Sequence, residues 1–170
     1  MGARDSQTAE AEAEAKGTRA LGGLVIWLVV CFAAPALSVG SPPADWYATL
    51  SKPGWNPPNA VFGPVWTALY TMMAVAAWLV WRRGGFRAQR RALGWFLAQL
   101  ALNALWTPVF FGLHQLGWAF AVIILLWLTI AGTALAFWRV KALAAALLLP
   151  YLAWVSFAAF LNFTLWRMNA

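Results

Sequence analysis

Acidic side chains are almost absent from this chain. Asp5, Glu10, Glu12, Glu14 and Asp45 are all there are, and no carboxylate side chain follows position 45. Most general acid and base chemistry by paired carboxylates is thereby excluded from the greater part of the sequence. A single cysteine, Cys31, leaves no partner for an intrachain disulfide, and a single histidine, His114, without acidic neighbours offers no metal cluster. No metal and no cofactor are expected. Charged residues of both signs amount to 10%, against 63% hydrophobic residues, too few to cover the surface of a soluble domain. A net charge of +7 could suggest nucleic acid, but the basic residues sit between apolar runs and line no exposed face, so no nucleic-acid partner is expected.

What is present instead is a set of long uncharged stretches, at 20–44, 53–81, 92–138 and 142–166. A membrane-spanning helix needs about 20 apolar residues. The 92–138 stretch therefore holds two helices, with the polar, glycine-flanked segment Gly112-Leu113-His114-Gln115-Leu116-Gly117 as the hairpin between them. The sequence predicts an all-α integral membrane protein, a five-helix transmembrane bundle with spans near 20–40, 62–82, 89–111, 116–138 and 142–166. A barrel is excluded by the absence of two-residue alternation and by runs far longer than a strand of about ten residues. Pro35, Pro108 and Pro150 each remove a backbone donor, so local kinks are expected where they fall inside a span.

Residues 1–19 are rich in Ala and Glu and carry charges of both signs, which reads as a disordered or weakly helical tail before a membrane domain covering 20–170. Glu10, Glu12 and Glu14 spoil the basic start of a signal peptide, so a retained first helix is expected. Five spans place the termini on opposite sides. Of the 12 Lys and Arg residues, all but Lys52 and Arg167 then fall on the N-terminal side. The positive-inside rule puts that side in the cytoplasm for a bacterial inner membrane. A bacterial or mitochondrial outer membrane would void that inference.

The loop Asp45-Trp46-Tyr47-Ala48-Thr49-Leu50-Ser51-Lys52-Pro53-Gly54-Trp55-Asn56-Pro57-Pro58 alternates aromatics and prolines, and should be semi-rigid. Its aromatics suit an interfacial anchor or a lid. Trp46-Tyr47 through Lys52-Pro53, Trp55 and Pro57-Pro58, followed by Gly63-Pro64-Val65-Trp66-Thr67-Ala68-Leu69-Tyr70, resembles the first loop and second helix of the tryptophan-rich sensory protein / translocator protein family. Gln99-Leu100-Ala101-Leu102-Asn103, Trp106-Thr107-Pro108 and Phe110-Phe111-Gly112 resemble its third helix. Pro150-Tyr151-Leu152-Ala153-Trp154, Leu161-Asn162 and Trp166-Arg167 resemble its fifth. The resemblance covers residues 20–169. It implies a five-helix bundle, often a homodimer, with a pocket roofed by a Trp- and Pro-rich lid that includes Tyr47 and Pro57. The ligands it implies are porphyrins such as protoporphyrin IX, and sterols.

Helical spacing supplies candidate pocket faces beside that implication. These are Phe62, Trp66 and Tyr70 on the second span, Gln99, Asn103 and Trp106 on the third, Trp118, Ala121 and Leu125 on the fourth, and Trp154, Ala158 and Leu161 on the fifth. Gln99, Asn103 and Asn162 are costly in lipid and should face the bundle, as glue between helices or as ligand contacts. Asn162 reads as glue, and the resemblance draws Gln99 and Asn103 to the pocket. Among 13 tryptophans, Trp66, Trp106 and Trp154 lie away from any charged end. Indoles there can stack on a flat macrocycle and donate a hydrogen bond, or simply pack the core. Gly94, Ala98 and Ala101 have the small-residue spacing that allows close helix approach, between copies or within the chain. The sterol pattern of animal members is altered here, with Phe163 where a tyrosine would stand before Arg167, so sterol binding through it is not expected.

The resulting expectation is a membrane receptor, for transport or sensing, that binds a tetrapyrrole between its helices within the lipid bilayer. A light- or oxidant-dependent porphyrin-degrading enzyme is the alternative, with Trp66 and Trp154 as participants because indoles undergo one-electron oxidation. An ion transporter would show ionisable residues within the spans, and the spans have none apart from His114 at a hairpin.

Overall fold

The computed structural model describes residues 2–36 and 44–170. Its elements are α1 (Gly2–Ala36), α2 (Ala44–Thr49), α3 (Asn59–Trp81), α4 (Gly85–Ala88), α5 (Arg90–Thr107), α6 (Leu116–Trp138), α7 (Ala142–Ala146) and α8 (Leu149–Asn169). Among the described residues five segments are long and apolar enough to cross a membrane: Gly17–Ala36, Asn59–Trp81, Arg90–Gly112, Leu116–Trp138 and Ala142–Met168. The first span is the C-terminal part of a longer helix. Its Ala- and Glu-rich N-terminal extension, made of strong helix formers, continues α1 back to Gly2.

In lipid the outward side chains are as apolar as the inward ones, so close packing and hydrogen bonds hold the spans together. The Trp78 indole NH donates to the Ala20 carbonyl at 2.7 Å and ties α3 to α1. Nearby, Gly23 leaves room for the Trp81 ring, which a Cβ at that position would strike. Gly132 on α6 likewise accepts the Trp95 ring of α5. α5 packs along α6, α6 along α8, and α1 along α3, while α3 meets the last span through the short α7.

The prolines do different things. Pro108 opens a π-helical turn, Pro108–Gly112, in which the Leu113 amide donates to the Pro108 carbonyl at 2.9 Å. The widened turn carries Phe110 and Phe111 toward the bundle axis, a use of π-turns common at functional sites. Pro150 falls in the first turn of α8, where a missing donor costs little, so the last span is broken between Ala146 and Leu149. Pro35 lies in the last turn of α1.

The buried side chains form two clusters. The larger gathers residues such as Trp27, Met73, Phe96, Ile130, Phe137 and Tyr151 toward the arginine-rich end. The smaller gathers Tyr47, Phe110, Leu116, Ala119, Leu161 and Leu165 under the first loop. Between them lies the cavity described next.

Candidate functional site

A cavity of about 420 Å³ opens among α3, α5, α6 and α8 beneath α2. Its size falls within the range of small-molecule sites. From α3 come Phe62, Trp66 and Tyr70; from α5 and the π-turn Asn103, Trp106, Thr107, Phe110 and Phe111; from α6 Ile123 and Leu126; from α8 Trp154, Val155, Ala158, Leu161, Asn162 and Leu165. Pro35, Tyr47 and Asn59 complete the wall.

Aromatic rings brace one another around it. Trp66 stacks on Tyr70 at 5.4 Å between centroids and meets Tyr151 edge-on at 6.2 Å. Phe62 meets Trp154 at 5.9 Å, and Trp106 lies 4.9 Å from Phe110. Rings held by other rings lose little freedom when a flat ligand settles against them.

A buried chain of hydrogen bonds backs the wall. The Tyr70 hydroxyl donates to Asn103 Oδ1 at 2.6 Å, Asn103 Nδ2 donates to the Tyr151 hydroxyl at 3.1 Å, and that hydroxyl donates to Gln99 Oε1 at 3.0 Å. Gln99 Nε2 has no partner among the described residues. A second link runs from the Trp106 indole to Asn162 Oδ1 at 3.2 Å, and from Asn162 Nδ2 to the Leu116 carbonyl at 2.9 Å. Asn162 thus joins α5 to the start of α6 while also bordering the cavity.

The first loop folds over the cavity as a lid. Trp46 stacks on His114 at 4.2 Å and 16°. His114 adopts φ +56°, a left-handed conformation rare for non-glycine residues. Tyr47 is only 8% exposed and borders the cavity. Its hydroxyl donates to Asn56 Oδ1 at 2.7 Å, folding the loop back on itself. Burial pushes this hydroxyl above the ordinary phenol pKa of 10, with the Asn56 hydrogen bond pulling the other way. Lys52 Nζ donates to the carbonyls of Ala48 and Leu50, caps α2, and lies 4.8 Å over the Tyr47 ring. The Ser51 amide donates to Asn169 Oδ1 at 2.9 Å, and Asn169 Nδ2 returns a bond to the Ser51 carbonyl at 3.0 Å. Trp55, more exposed, stacks on Phe160 at 5.2 Å.

Of the residues singled out in the sequence, Tyr47, Trp66, Tyr70, Asn103, Trp106, Trp154, Ala158 and Leu161 meet at this cavity. Gln99 does not. It is 1% exposed and spends its carbonyl on Tyr151, behind the wall. Pro57 lies in the lid outside the lining. The expected face of the fourth span is turned the other way: Trp118 is 71% exposed and Leu125 53%, with Ala121 beside them, while Ile123 and Leu126 look inward. Lipid-facing and inward residues are equally apolar on α6, so the sequence carries no sign of its rotation. Phe110 and Phe111 were missed because only the π-turn brings both rings in.

The sequence model of the TspO/MBR family matches residues 23–167. The chain belongs to the TspO/MBR family. It is 48% identical over 126 residues to the translocator protein of Homo sapiens, covering 73% of this chain and 75% of that one. It is 42% identical over 143 residues to the tryptophan-rich sensory protein of Cereibacter sphaeroides, covering 84% and 89%. Protein CrtK of Rhodobacter capsulatus is 38% identical over 148 residues, covering 85% and 91%. With its five apolar spans, the chain is an integral multi-pass membrane protein of this family. The family match takes in the lid and every residue that lines the cavity, and ends before Asn169.

Proposed function

We propose that this protein is a membrane receptor, for transport or sensing, that holds a flat tetrapyrrole such as protoporphyrin IX in the cavity beneath the lid. The observation that carries the reading concerns Trp66 and Trp154. Both indoles border the cavity from facing helices, and neither NH has an acceptor among the described residues. In a low-dielectric site an unmatched donor is costly, and a ligand carbonyl or carboxylate relieves that cost. The remaining wall is aromatic and aliphatic, suited to the faces of a macrocycle.

Tryptophan fluorescence titrated with protoporphyrin IX tests the reading. Saturable quenching with an unchanged porphyrin spectrum supports binding, and no saturable quenching contradicts it. New porphyrin products formed under light would assign degradation instead, with the same two indoles as participants.

A sterol is a second candidate for the same apolar space. Phe163 takes no part in it, since it lies outside against Phe120 and Trp166. For a homodimer, Gly94, Ala98 and Ala101 form an exposed stripe on the outer face of α5, and among the described residues a Cβ at Gly94 would meet nothing within 4 Å. Cross-linking in native membranes tests that contact. The arginine-rich end is proposed to be cytoplasmic in a bacterial inner membrane, checked by a reporter fused at Ala170, which should then be outside.

A further inference from the structure

Trp154 borders two separate spaces. One is the inner cavity. The other is a shallow groove of about 510 Å³ on the outside of the bundle, with Val65, Ala68 and Met72 on its α3 bank and Pro150, Ala153 and Phe157 on its α8 bank. Every side chain lining this groove is hydrophobic. At about 1.5 Å per residue, Val65 to Met72 lie roughly 9–20 Å from the lid end of α3, within a hydrocarbon layer of about 30 Å. The groove therefore faces lipid, and whatever enters it comes from lipid.

This seam also carries no hydrogen bond of its own among the described residues. Hydrogen bonds join α1 to α3, α3 to α5, α5 to α8 and α6 to α8, through Trp78, Tyr70, Trp106 and Trp127 respectively. α5 and α6 pack closely along their length. Between α3 and α8 no hydrogen bond is made among the described residues, and their backbones hardly approach. Rings bridge the space: Phe62 against Trp154 at 5.9 Å and Trp66 against Tyr151 at 6.2 Å. By contrast, the aqueous end is closed by the Ser51–Asn169 pair, the Tyr47–Asn56 bond and the Trp46–His114 stack.

The geometry points to a lateral entrance between α3 and α8, through which an apolar ligand dissolved in the bilayer reaches the cavity, with the Trp154 ring as its gate. A rotamer change of one unbonded indole opens the wall, whereas entrance from water requires several lid bonds to break together. The inference rests on the proposed function, since it concerns the cavity's own ligand in transit.

The test ties the seam shut. Ala68 and Ala153 are exposed on opposite banks, and the native Cys31 is fully buried. The double variant Ala68→Cys, Ala153→Cys is reconstituted in vesicles and joined with a short bifunctional thiol reagent that a reductant cleaves. Protoporphyrin IX, supplied from the lipid phase, is followed by tryptophan quenching. Joining should slow association and dissociation together by about tenfold or more with Kd unchanged, and cleavage should restore both rates. Unchanged rates at full cross-linking would overturn the entrance while leaving the binding site intact. Absence of saturable quenching in the unjoined variant and the parent alike would overturn the ligand reading, and the entrance with it.

Discussion

The Tyr70 hydroxyl lies 2.6 Å from Asn103 Oδ1 and joins α3 to α5 where both helices border the cavity. Asn103 passes the connection to Tyr151 on α8, so one amide holds three spans in register around the site. Replacing Asn103 by Ala strands the buried Tyr70 hydroxyl and takes one of the two bonds of the Tyr151 hydroxyl, which keeps Gln99 Oε1, whereas Tyr70→Phe removes a single donor. Thermal unfolding in detergent should show a loss of about 1–2 kcal/mol for Asn103→Ala and a smaller loss for Tyr70→Phe. Equal losses would mean that the chain beyond Asn103 contributes nothing.

Asn169 fastens the lid from the far end of the sequence, through both backbone groups of Ser51. Asn169→Ala should leave helix content unchanged and raise amide exchange across residues 46–58. Exchange in the bundle core should stay as in the parent. Protection of the lid equal to the parent's would assign its order to the Trp46–His114 and Tyr47–Asn56 contacts alone.

Tyr47 gives the lid a defined pH response. Its folded-state pKa is raised by burial, so its contribution to lid docking is complete below the ordinary value of 10 and is lost as the pH climbs through the raised value. A fluorophore at the exposed Ala48 should report no change attributable to this group at neutral pH and undocking above about pH 10. Tyr47→Phe should abolish that alkaline step and, by losing the Asn56 bond, weaken docking by about 1 kcal/mol at all pH values. The same alkaline step in the variant would assign it to another group.

Two adjacent glycines on α1 should respond with opposite signs. A Cβ on Gly23 meets the Trp81 ring, while one on Gly22 meets nothing within 4 Å. Gly23→Ala should destabilise by about 1–3 kcal/mol through the displaced ring. Gly22→Ala should be neutral or stabilising by up to about 1 kcal/mol, through helix propensity. A loss of stability for Gly22→Ala would show that this face of α1 is packed in the membrane.

The number and limits of the spans were legible because charge is expensive in lipid, and so the charged residues mark the ends. Inward faces were legible where a polar or aromatic residue broke the apolar background, as with Asn103, Trp66 and Trp154. On α6 nothing breaks it, and Trp118 and Leu125 point outward where Ile123 and Leu126 line the cavity. Burial of Gln99 followed from its polarity, but its use did not: whether a buried amide meets a ligand or a neighbouring tyrosine depends on a crossing between helices that local sequence does not encode. The loop's aromatics allowed anchor or lid. Its docking depends on Asn169, 118 residues beyond Ser51, and on the left-handed turn that presents His114 to Trp46.

The most direct measurement is the protoporphyrin IX dissociation constant of the parent beside those of Trp66→Phe and Trp118→Phe. Trp66 borders the cavity with an NH that has no acceptor among the described residues, and Trp118 faces outward at 71% exposure. Trp66→Phe should weaken binding by roughly three- to tenfold, the equivalent of one lost hydrogen bond and a smaller ring face, with Trp118→Phe indistinguishable from the parent. Unchanged affinity in Trp66→Phe, or an equal loss in both variants, would contradict the placement of the ligand beneath the lid.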